Sequence, residues 1–203
     1  MASTLLQTEV RPIQTQQPST TEYLIRHGAP TLAGLKTGNL FPCSFGDRKA
    51  FQEDLRQINR VLVPRGLRLI PLRMEANKAL LYLFRPASLD RDLADETARD
   101  LLKQAGYEDL RQRPCLRELT KRLRAREDFP HEIGLFLSYP PEDVRGFICH
   151  QGKCSKCTGC WKVYGDEAAA KERFAAYKTC TADLCQRHAH GDSLEHLTVP
   201  TLS

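Results

Sequence analysis

No apolar run in this 203-residue chain approaches the roughly 20 residues that cross a bilayer, so no membrane span is expected. The amino terminus, MASTLLQTEVRPIQTQQPSTTEY, has neither the basic head nor the continuous apolar middle of a secretory signal. Its Gln, Thr and Pro content predicts a disordered tail over residues 1–20 instead. Charge of one sign is scarce: 30 Lys and Arg interleave with 25 Asp and Glu, and the net +5 gives only a mild preference for acidic partners. Internal repeats, heptad arrays and a phosphate-loop pattern are missing too. These absences point to an ordinary globular protein of the cytoplasm, where most thiols stay reduced.

The remaining pattern alternates helices with short strands. TEYLIRHGAP reads as a helix ending near Gly28 and Pro30, followed by a Gly-punctuated segment and an extended run from Leu40 to Phe45. Asp47 caps a helix whose Phe51, Leu55, Ile58 and Leu62 share a face, and Pro64 with Gly66 ends it. GLRLIPLRMEANKALLYLFRP predicts a β-hairpin turning at Glu75 to Asn77, with Pro71 at an edge or a bulge. One helix is expected from a Ser88 cap to a left-handed Gly106, and another over RPCLRELTKRLRAR. A helix from Pro141 to His150, a strand at Trp161 to Tyr164 and a helix capped by Asp166 complete the pattern, with Ala170, Phe174 and Tyr177 facing inward. The fold class expected is α+β: a single domain over residues 21–199, with a small, mostly antiparallel sheet packed by several helices, and a short tail at 200–203.

Cysteine is plentiful, with eight in all. The stretch GKCSKCTGC, in a Cys-rich loop at 149–160, sets Cys154, Cys157 and Cys160 three residues apart. This spacing lets thiolates of one tight loop reach a single ion. Cys180 and Cys185 are the remote ligands that would complete a zinc site or an iron–sulfur cluster, because the fourth cysteine and proline of a bacterial cluster motif do not follow. The competing reading is a set of reduced thiols, some buried as small hydrophobes, which is also the simpler reading of Cys43 and Cys115. His27, Lys36 and Asn39 bracket a Gly-rich turn suited to an anion. His131 beside Glu132 pairs an imidazole with a carboxylate, yet lacks the second His of a helical zinc motif.

Three stretches, HGAPTLAGLKTGNLF, FPHEIGLFLSYPPEDVRGFI and GCWKVYGDEAAAKERFAAYKTCT, resemble the bacterial family called domain of unknown function (DUF) 3793, over Tyr23 to Val199. The resemblance implies the cytoplasm of anaerobic bacteria, with gene neighbours concerned with flavodoxin and iron uptake, and it implies no activity. Members often carry Cys where Gly28 stands and fewer thiols before Trp161, so the resemblance does not extend to a family-wide metal role for Cys154. It does raise the interest of His131.

Between Arg111 and Arg126 seven basic residues face Glu118 alone, making one helix side positive. Arg117, Lys121 and Arg124 are the docking residues this suggests for an acidic protein such as flavodoxin; nucleic acid is disfavoured because the run holds no aromatic for stacking bases. Three functions are thus set against one another. The first is an accessory protein for metal, redox or electron handling, using the cysteine loop. The second is a small-molecule enzyme with a pocket formed by the His27 to Asn39 and His131 to Asp143 segments. The third is a binding module using the basic helix.

Overall fold

The computed structural model describes residues 18–125 and 129–201. The tail expected at the amino terminus therefore lies, over residues 1–17, outside the described residues, as does Arg126.

A three-stranded antiparallel sheet divides the molecule. Its strands, β1 (Gly38–Ser44), β2 (Arg68–Glu75) and β3 (Lys78–Phe84), run in the order β1-β3-β2. Side chains alternate across a strand, so the central β3 has two apolar faces. Ala79, Leu81 and Leu83 enter one core cluster, and Tyr82 and Phe84 the other. Pro71 is tolerated because β2 is an edge strand and its register shifts between Pro71 and Arg73. The shift reverses the alternation, so that Leu69 and Met74 reach the same face although they are an odd number of residues apart.

On that first face pack α1 (Thr20–Leu32), α2 (Arg48–Leu62), the second half of α8 (Glu167–Ala189) and α9 (Leu194–Leu197), through Leu24, Phe51, Leu184 and Leu197 among others. Opposite lie α3 (Pro86–Ala94), α4 (Glu96–Gln104), α5 (Gln112–Ala125), the single turn α6 (Ile133–Phe136) and α7 (Pro141–Cys149). The result is the expected α+β domain, helices on both sides of a small sheet. A two-stranded ribbon, β4 (Cys157–Thr158) with β5 (Lys162–Val163), forms a third apolar cluster through Trp161 and Val163 with Ala170 and Tyr177 of α8.

Two helix boundaries differ from the sequence pattern. Helix α1 runs through Pro30 to Leu32; the acceptor that Pro30 cannot serve is on exposed Arg26, while Ala33 and Leu35 donate to the Ala29 and Pro30 carbonyls at 2.9 and 2.8 Å. The helix expected from Ser88 to Ala105 is broken at Asp95, which is extended and caps α4 by accepting from Ala98 N at 2.9 Å. Pro86 at the first turn, not Ser88, opens α3. Gly106 does take the left-handed conformation, at φ 84°.

Candidate functional site

The cysteine loop is built around Asp143. This buried carboxylate on α7 accepts from Trp161 Nε1, Tyr164 N and Gly165 N, each at 2.7 Å. The ribbon is thereby held against α7 and laid on the first half of α8. Its sulfurs part company. Cys154 is exposed in a left-handed conformation at φ 59°, Cys157 packs against the Trp161 cluster, and Cys160 is exposed at the ribbon's end. Cys180 and Cys185 belong to the other half of α8 and pack against the first sheet face. A charge on Cys157 acts on Lys171, which precedes Cys180 by nine helical residues, or roughly 13 Å of helix at 1.5 Å per residue. Among the described residues no group of three or more His, Cys, Asp or Glu side chains is placed to hold a metal ion. The proposed ligand set Cys154, Cys157, Cys160, Cys180 and Cys185 is therefore not assembled.

Two of those cysteines nonetheless border one cavity. Cys160 and Cys185 line a cavity of about 560 Å³ together with His27, Lys36 and Asn39, from the α1–β1 segment, and Leu137 and Tyr139 from the segment after α6. Phe174, Tyr177, Lys178 and Thr181 of α8 close it. Among the described residues no Asp or Glu is in its wall.

Lys36 is its most unusual group, only 7 % exposed. It sits on a clamped connection. Gly34 turns left-handed at φ 80°, Thr37 N donates to Ser138 Oγ at 3.1 Å, and a Cβ at Gly38 would come within 2.7 Å of the Tyr82 ring and the Phe136 carbonyl, so only glycine fits there. The Lys36 Nζ lies 5.2 Å from the Tyr139 ring centre and 5.9 Å from that of Tyr177. It has no hydrogen-bonding or ion-pairing partner among the described residues. Burial pulls its ammonium down to about 8, with a Cys160 thiolate acting the other way.

The surrounding groups are held in place. Tyr139 donates to Cys160 O at 3.1 Å and stacks on Trp161 at 4.9 Å, so Asp143 positions this wall through Trp161. Burial pushes the Tyr139 phenol up to about 12, with the Cys160 charge adding to the effect. Asn39 accepts from Thr31 Oγ1 at 2.7 Å, which leaves its amide N–H groups as donors. His27 is exposed between Tyr23 and Phe41, with its basicity lowered by partial burial and by Arg26.

His131 and Glu132 do not act as a pair. His131 is exposed against Phe147, at the mouth of a second, apolar cavity of about 460 Å³. Glu132 points into the core, accepting from Tyr107 Oη at 3.1 Å and pairing with Arg122 at 3.4 Å. On α5, Arg117 and Lys121 are exposed, but Arg124 donates to Leu72 O at 3.1 Å and so is tied to β2. Asp143, Tyr139 and Tyr177 escaped the sequence reading as site residues. The available signal was the run of aromatics at Tyr139, Trp161, Tyr164, Phe174 and Tyr177.

The family model described as "Protein of unknown function (DUF3793)" matches residues 24–198. No curated protein and no solved structure matches the chain.

Proposed function

The chain belongs to the DUF3793 family, whose matched region contains every residue lining the Lys36 cavity, and we propose that this cavity binds a small anionic molecule and presents Lys36 to it as the reactive or anchoring amine. One observation carries the reading: a lysine more than nine-tenths buried faces a cavity in which no carboxylate of the described residues is placed to neutralise it. A bare buried ammonium is costly, and a ligand anion removes that cost. Lys178, the Asn39 amide and Lys36 supply donors, while Pro30, Leu40, Leu137 and Phe174 supply apolar contact, the combination typical of small-molecule sites. A depressed lysine pKa in a cleft is also the usual preparation for a nucleophile or base. The eight unpaired cysteines support a reducing, cytoplasmic setting.

The chain's one tryptophan, Trp161, stacks on the Tyr139 wall and supplies the assay. Titration with acetate, succinate, glyoxylate and inorganic phosphate should quench or shift its emission saturably for at least one anion. The Lys36→Met variant should bind that anion about tenfold or more weakly, as expected for loss of a charge-assisted contact. Equal affinity in the variant, or no saturable response to any of these anions, would count against the reading.

A further inference from the structure

Resting on that reading, the geometry points to a chemistry for the amine: we propose that Lys36 captures the carbonyl carbon of a small oxo-acid as an imine, the acid's carboxylate lying among Lys178 and the Asn39 amide. The cavity has the three requirements. Its amine is buried beside the Tyr139 and Tyr177 rings, and that burial disfavours the charged form. Among the described residues the titratable side chains around it are His27, Tyr139, Cys160, Tyr177, Lys178 and Cys185, so no carboxylate of theirs fixes the proton on nitrogen. A second cation, Lys178, shares the wall and provides for the ligand's own charge.

The step balances without an oxidant or a reductant. The neutral amine attacks the carbonyl carbon, the C–N bond forms, and the carbonyl π pair moves to oxygen. A proton passes from nitrogen to that oxygen, giving a carbinolamine. A further proton on the hydroxyl allows water to leave as the C–O bond breaks, and the nitrogen lone pair closes the C=N bond of the iminium. Amine, carbonyl and one proton thus become iminium and one water. The Tyr139 phenol, held on Cys160 O, stays protonated through neutral pH and does not compete as a base.

The experiment uses the full chain, glyoxylate as the probe and sodium cyanoborohydride as the trap, followed by peptide mapping. Because the comparison is internal to the wild-type protein, it needs no variant that might misfold. Lys36 should acquire a carboxymethyl group about tenfold or more faster than exposed Lys103, Lys153 and Lys171, since far more of its amine is neutral at pH 7.5. Acetate in excess should slow labelling at Lys36 and leave the exposed lysines unaffected. Labelling of Lys36 no faster than theirs, or indifferent to acetate, overturns the imine. If anions still quench Trp161 while Lys36 stays unlabelled, the imine fails and the anion site stands; if neither occurs, both fail.

Discussion

A lysine buried without a counter-charge destabilises the fold that holds it, and Lys36 gives that cost a sign and a pH window. Its pKa falls from 10.5 unfolded to about 8 folded, so the unfolded chain binds the extra proton between those values and stability rises with pH across that interval. Below about pH 8 the whole penalty is present, roughly 3 kcal/mol at 1.36 kcal/mol per unit. Lys36→Met should therefore be more stable than wild type at pH 7, by about 1–3 kcal/mol in urea denaturation, and the gap should shrink towards pH 10. A gap that widens with pH would contradict this. Asp143 works the other way. Replacing it with Ala leaves three N–H donors without their acceptor at a site 2 % exposed, and should cost about 3–5 kcal/mol. The single tryptophan should report the loosened wall as a red-shifted emission in Asp143→Ala.

Helix and strand identities were largely legible in the sequence because each rests on local chemistry. Asp47 and Asp166 cap where they should, Gly106 stops α4, and Pro71 lies on an edge strand. The Asp95 break was hidden because apolar residues on both sides of it keep one helical phase, and only the capping contact shows that the chain bends there. The His131–Glu132 pair was misleading for a related reason. Adjacent residues at the approach to α6 face opposite ways, one to solvent and one to Arg122 and Tyr107. Nor did spacing reveal how α1 ends. Buried Arg85 donates to the carbonyls of Thr31, Leu32 and Val199 at 2.8, 2.8 and 2.7 Å, joining the helix end to the carboxy-terminal tail. Lysine cannot reproduce that fork, so Arg85→Lys should lower stability by about 2 kcal/mol or more, read as a fall in melting temperature. On α5, reversing Arg117 and Lys121 to Glu should change stability by less than about 0.5 kcal/mol, because both are exposed. Any test of this face as a docking surface should spare Arg124, whose bond to β2 belongs to the fold.

Across the whole molecule the decisive feature is α8, 23 residues long, which passes from the Trp161 cluster to the first sheet face. The ribbon docks on its first half while Cys180 and Cys185 lie on its second, and this distance, invisible to sequence spacing, separates Cys157 from both of them. Protein purified without oxygen should accordingly contain well under one equivalent of zinc or iron per chain by elemental analysis; a stoichiometric metal or a brown chromophore would restore the cysteine set. The same helix makes the third wall of the Lys36 cavity, which is why the two segments expected to border a pocket say so little about it by themselves. The most direct check on this reading is the titration of the Lys36 amine itself, followed by carbon NMR of lysine Cε in the intact protein. A resonance that is lost in Lys36→Met and titrates near pH 8 is the expected result. A midpoint at or above pH 10 would mean that the amine is solvated or paired, and that the cavity has no activated lysine.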